Sequence, residues 1–140
     1  MRFMLIVKAS AESEAGVMPE DKLIAEMTKF NEEMQKAGVL LDLSGLQPST
    51  KGARIKFSGG KRTLVEGPFD DDPQSLIAGY WIIQTKSREE AIQWAMRAPA
   101  PHKGEDAKIE VRQFFEIEDF GESEAVEQAR KLESKLGKDK

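Results

Sequence analysis

The chain has 140 residues, a net charge of −4 with 33% of its residues charged, and no cysteine. That length suits one domain with enough core to fold without staples. The missing cysteine excludes disulfides, thiolate nucleophiles, Cys-ligated zinc and iron–sulfur clusters, and the mixed signs with no overall basic stripe argue against a nucleic-acid partner. The longest apolar run near the N-terminus, Phe3–Val7, is too short for a signal-peptide core or a membrane span, so the expectation is a soluble cytoplasmic protein without membrane contact.

In chain order, RFMLIVK (residues 2–8) is apolar on both alternating faces, as an interior strand would be. ASAESEAGVM (9–18) reads as a polar loop. Pro19 with Glu20 and Asp21 suits a first helical turn. Leu23, Met27, Phe30 and Met34 then make one apolar stripe, and Gly38 supplies the stop, predicting a helix over 19–37. Val39–Leu46 is a strand candidate closed by Pro48. ARIKFS (53–58) alternates like a half-exposed strand, Gly59-Gly60 turns it, and KRTLVE (61–66) returns, which predicts a hairpin arm.

IAGYWIIQT (77–85) is β-branched and aromatic on both faces, a second interior strand. Ser87-Arg88-Glu89-Glu90 has the spacing of a reciprocal capping box. Ala91, Ile92, Trp94 and Ala95 follow at helical spacing up to Pro99. Lys108–Phe115 alternates as a last strand. Ala125, Val126, Ala129, Leu132 and Leu136 predict a C-terminal helix over 122–136, with the GKDK tail (137–140) expected to fray. This order predicts an α+β fold of ferredoxin-like type, β-α-β-β-α-β with a hairpin arm and an extra C-terminal helix. Residues 1–121 form the domain and 122–140 the extension. Both central strands are apolar on two faces while the helices cover one. A second subunit is the economical cover for the other.

Among candidate functional residues, LVEGPFDDDP (64–73) concentrates four carboxylates but lacks calcium-loop spacing. Asp72-Pro73 reads as an N-cap and first helical residue of a short turn. Gly67 before Pro68 predicts a close approach of backbone to chain or ligand, and Phe69 predicts a plug for core, interface or pocket. His102, the single histidine, has the chemistry of a general acid or base. In a Pro/Gly loop without a nucleophile motif it reads first as a solvated loop residue. Lys8, at a strand end, can anchor an anion or mark the edge of the core. Trp81, Trp94, Tyr80 and the methionines read as packing.

Taken together, RFMLIVKAS (2–10), AGVLLDLSGLQP (37–48), VEGPF (65–69), IAGYWIIQ (77–84), EEAIQWAMRAP (89–99) and IEVRQFFEIEDFG (109–121) resemble the YCII-related, or DGPF-domain, proteins. The resemblance covers about residues 1–121. It implies a ferredoxin-like fold of the dimeric α/β barrel type, two sheets face to face, shared by small-molecule isomerases, monooxygenases and binding modules. Fold alone does not set function. An enzymatic role has been suspected for YCII-type proteins from a histidine–aspartate pair whose histidine lies in the first helix region. Here residues 19–38 contain no histidine, so the pair does not carry over. The aspartate of the name motif is Glu66 here, which keeps the charge but moves it one methylene outward. Pro99–His102 and Glu118–Gly121 resemble segments of one branch of the family.

These observations lead to three readings. The first is a small-molecule-binding or regulatory homodimer with its pocket beside the GPF turn, formed by Lys8, Gly67, Pro68 and Phe69. The second is a cofactor-independent acid/base enzyme, isomerase- or lyase-like, acting on a small polar or anionic substrate. Glu66 would then be the base, His102 the proton carrier and Lys8 the anion anchor. The third is a purely structural dimer. None of them calls for a cofactor or a metal.

Overall fold

The computed structural model describes residues 1–102, 104 and 106–137. Its centre is the antiparallel pair of β1 (Arg2–Lys8) and β5 (Ile77–Gln84), flanked by β2 (Leu40–Gly45) beside β5 and β6 (Ile109–Gln113) beside β1. All pairings in this four-stranded sheet are antiparallel. The two strands with apolar residues on both faces thus occupy the two central positions, where no backbone edge meets water. α2 (Asp21–Lys36) and α3 (Arg88–Arg97) supply the residues that cover one face. The result is an α+β arrangement compatible with a ferredoxin-like fold.

The core lies on that helix-covered face. Phe3, Leu5, Trp81 and Ile83 from the strands meet Phe30, Met34, Ala91 and Trp94 from the helices. Phe30 sits at their centre, edge-on to Trp81 with ring centroids 5.4 Å apart and tilted against Trp94 at 6.3 Å. The stripe read from the sequence is the buried face of α2. Gly38, in the left-handed region at φ +75°, ends that helix, as a residue without a Cβ does at low cost.

Several boundaries differ from the expectation. α2 begins at Asp21, so Pro19 and the N-cap Glu20 precede it, and Glu20 makes no side-chain cap bond. The stretch expected as a polar loop contains a helical turn, α1 (Ala11–Glu14). Ser10 and Ser13 bond each other's backbone N–H reciprocally at 3.1 and 2.9 Å. A one-turn helix has no apolar stripe, so periodicity could not announce it. At α3, Ser87 Oγ accepts from the Glu90 N–H at 3.1 Å. The Glu90 carboxylate, however, reaches the Lys86 N–H at 3.1 Å rather than that of Ser87, so the expected box is shifted by one residue.

The arm forms as read: β3 (Ala53–Ser58) pairs only with β4 (Lys61–Glu66), in a separate two-stranded sheet. A further short turn, Ile117–Phe120, precedes α4 (Glu124–Lys135), which Ser123 caps through the Val126 N–H. The tail expected to fray lies, from residue 138 on, outside the described residues. No helix among the described residues is long and apolar enough to cross a membrane.

Phe30→Ala should lower stability by about 3–5 kcal/mol, because the ring is buried among two tryptophans and cannot be replaced by collapse. Leu132→Ala, on an exposed side chain of α4, should change stability by about 0.5 kcal/mol or less. Urea denaturation followed by tryptophan fluorescence measures both.

Candidate functional site

Two places collect the residues singled out above. The first is the base of the arm. Asp72 Oδ1 accepts from the Gln74 N–H at 3.0 Å and Pro73 is the first residue of a 3-10 turn over Pro73–Ser75, so the cap reading of Asp72-Pro73 describes the structure. Asp71 does something different. It takes both guanidinium nitrogens of Arg54, each at 2.9 Å, while the same guanidinium lies 3.8 Å over the Phe69 ring. Phe69 is therefore half-buried under an arginine at the foot of β3, not in the core. Arg54's hydrogen bonds hold the Asp71 carboxyl below the usual carboxylate range.

Gly67 and Pro68 are joined by a cis peptide bond. A Cβ on Gly67 would sit 1.7 Å from the Ser49 carbonyl oxygen, so the close approach expected here is of backbone to backbone. Ser49 is gripped from its other side by Glu14, at the end of α1. The Glu14 carboxylate accepts the Ser49 N–H at 2.9 Å and the Ser49 hydroxyl. Ser49 Oγ in turn accepts the Phe69 N–H at 3.1 Å. Glu14 was invisible as a functional residue in the sequence because its partner is 35 residues away. Glu66, the last residue of β4, is exposed and pairs across the ribbon with Ala53.

The second place is a cavity of about 390 Å3 between α2 and the β2–β5 side of the sheet. Its position follows from two glycines. Gly45 and Gly79 are direct cross-strand partners, two residues from Leu43 and Trp81 respectively, and so on the same face. Where the core continues, Trp81 fills the space under α2. One step along, neither strand adds a side chain: Gly45 leaves room, and at Gly79 a Cβ would sit 2.9 Å from the Ser44 carbonyl oxygen, so the strands need glycine there. Leu23 and Met27 of α2, Leu43, Val7 and Trp81 give an apolar lining.

Among the polar residues of that lining, Thr28, Asn31 and His102 come from outside the sheet, beside Ser44 and Tyr80 of the strands. Each of the first three has one function already committed. The Trp81 indole N–H donates to Asn31 Oδ1 at 2.6 Å, and since an indole only donates, the amide Nδ2 is the end of Asn31 left over. The Thr28 hydroxyl donates to the Ile24 carbonyl at 2.8 Å. His102 Nε2 lies 2.9 Å from the Lys8 carbonyl oxygen. A carbonyl only accepts, so Nε2 carries a hydrogen, and in the neutral ring Nδ1 is then the nitrogen with the lone pair. The cavity wall thus offers an amide donor and, in the neutral ring, an imidazole acceptor in a mostly apolar surface.

The family of YCII-related domains matches residues 1–115. The chain belongs to that family. A curated relative, an uncharacterised protein of Rhizobium meliloti (strain 1021), is 25% identical over 76 residues, 54% of this chain and 60% of the relative. The YCII-related domain therefore contains the whole cavity and the arm with its clasp, and α4 lies beyond it.

Within the YCII-related domain the structure separates the residues named from the sequence. His102 lines the cavity. Lys8 meets it only through its carbonyl, and its ammonium is 3.5 Å from the Ser75 carbonyl. Glu66, Gly67, Pro68 and Phe69 lie at the arm, outside the cavity lining. Asn31 and the glycine pair escaped the sequence reading. Asn31 sits on the polar flank of a helix, and a cross-strand glycine pair shows only once register is known. Among the described residues no group of three or more His, Asp or Glu is placed to hold a metal ion.

Gly67→Ala should destabilise by about 2 kcal/mol or more, since the obstructing atom is backbone and cannot swing aside. Thermal unfolding should show it. Asp71, with its pKa depressed in the fold, contributes at neutral pH and loses that contribution as pH falls through its lowered pKa. Amide exchange in residues 53–66 should therefore speed up on acidification, beyond its intrinsic pH dependence. Asp71→Asn should show the faster exchange at neutral pH already.

Proposed function

We propose that the chain is a small-molecule-binding module whose ligand occupies the cavity between α2 and the sheet. The observation that carries this reading is the glycine-floored space of about 390 Å3. Its size falls within the range of ligand sites, roughly 300–1,000 Å3, and a few polar groups in an apolar wall are typical of them. The complementary ligand is small and largely apolar or planar, with one acceptor for Asn31 Nδ2 and one donor for His102 Nδ1. The module is a homodimer in this reading, because Met4, Tyr80 and Ile82, half-buried in the single chain, form an apolar row on the sheet face turned away from the core.

The arrangement at His102 favours a second reading, an acid/base enzyme on a small polar substrate. The Lys8 carbonyl fixes the imidazole so that Nδ1 is the basic atom, as a general base requires. Glu66 has no part in that version, being on the arm.

A thermal-shift screen against a metabolite library tests the binding reading, because a ligand that binds only the native state raises its melting point. The gain is about 2.7 kcal/mol at a hundredfold excess over Kd. Gly45→Val is the decisive variant. The nearest atom to a Cβ there is the Ala78 carbonyl oxygen at 3.9 Å, an ordinary contact, so the strand accepts the branched side chain while the cavity loses volume. Hits should lose their shift in Gly45→Val with the unliganded melting point nearly unchanged, and should keep it in Glu66→Gln. A shift that survives Gly45→Val places the ligand elsewhere.

A further inference from the structure

The cavity opens between α2 and the edge strand β2. Ile24 on α2 and Leu43 on β2 line it and are also exposed, so they stand at its mouth. Pro19 lines it as well, and Pro19 belongs to the link between α1 and α2. The two residues before it in that link are apolar and in water: Val17 is exposed, and Met18 is 79% exposed. The apolar wall of the cavity thus ends in apolar side chains that face solvent.

The link is held at both ends and loose between them. Upstream, Glu14 grips Ser49, and the Val17 N–H donates to the Glu12 carbonyl at 3.0 Å. Downstream, the Glu20 carbonyl accepts from the Ile24 N–H at 3.1 Å, and Leu23 is buried. Among the described residues no backbone hydrogen bond holds Met18 or Pro19, and Glu20 makes no side-chain cap bond. Pro19 has no N–H to give and disfavours helical geometry at Met18, so α2 cannot extend backwards and absorb the pair. Moving Met18 therefore breaks no hydrogen bond of its own, while taking its side chain out of water is favourable. A thioether on three rotatable bonds also shapes itself to the surface it meets. A ligand seated between Ile24 and Leu43 presents such a surface beside Pro19.

We infer that Val17–Pro19 is a strap that closes the cavity, Met18 packing on the bound ligand and slowing its release. This rests on the cavity as the ligand site in the function proposed above and adds the element that shuts it.

A neutral fluorescent probe and single thiols test the strap in the full chain. The probe is N-phenyl-1-naphthylamine, whose emission rises in apolar surroundings. The chain has no cysteine, so Met18→Cys and Met96→Cys each introduce a lone thiol. Met96, 81% exposed on α3 and outside the cavity lining, is the control. At saturating probe, reaction of the Met18→Cys thiol with an aromatic disulfide reagent should slow about tenfold or more, and that of Met96→Cys should not change. Met18→Ser should raise the probe's dissociation constant about tenfold through faster release. Its unliganded melting point should stay unchanged, because the side chain is exposed there. Probe binding that Gly45→Val abolishes, with neither effect at residue 18, would overturn the strap and leave the cavity as the site. Thiol protection that persists when Gly45→Val is added would put the probe on the link rather than in the cavity, and would overturn the strap too. An absence of any binding sensitive to Gly45→Val would remove the cavity and the strap together.

Discussion

The structure depends on one constraint, the need to bury two adjacent strands that are apolar on both faces. β1 and β5 cannot sit at an edge without exposing backbone and side chains together, so they take the centre and recruit β6 and β2 as flanks. One face then requires cover, and α2 and α3 provide it through Phe30, Met34, Ala91 and Trp94. Phe30 between two indoles ties both helices to the sheet in a single contact group. What lies at the margins of this core, where its packing stops, is where the candidate site and the arm occur.

The cavity is such a margin. Trp81 is core on its inner side and wall on its outer, and its indole N–H sets the orientation of Asn31. Gly45 opposite Gly79 ends the packed layer without a loop or a break in the sheet. His102 comes in from a different segment and is held by the backbone of β1. The polar groups are therefore fixed by elements that the core itself makes rigid, which is what orienting a small ligand demands.

The arm is anchored differently, by polar bonds rather than packing. Glu14, Ser49, Gly67 and Phe69 converge at its foot, and Arg54 joins Asp71 to Phe69. These hold the base while the ribbon itself stands away from the sheet. Its apolar side chains Ile55, Phe57 and Leu64 stay exposed, because β3 pairs only with β4.

Much of this was legible in the sequence, for identifiable reasons. The period of Leu23, Phe30 and Met34 announced α2, two-faced apolar runs announced β1 and β5, and Asp72-Pro73 announced its turn, because each signal is local and the physics that produces it acts within a few residues. Gly67 was readable as a close approach, though not of what to what. The roles of Glu14, Asn31 and the Gly45–Gly79 pair were not readable. They arise from register and from contacts 35 to 50 residues apart, and no local pattern encodes them. The pocket expected beside the GPF turn illustrates the difference. Gly67 lies against the Ser49 backbone and Phe69 under Arg54, while Lys8 lies apart from them beside Ser75. The space that His102 and Asn31 line lies where two strands place their glycines opposite each other. Sequence alone determined the main helices and strands, though not the one-turn α1, and which faces they bury, since burial follows residue type. Tertiary structure decided where the space, the donors and the projecting charge ended up, because those depend on which strand lies beside which.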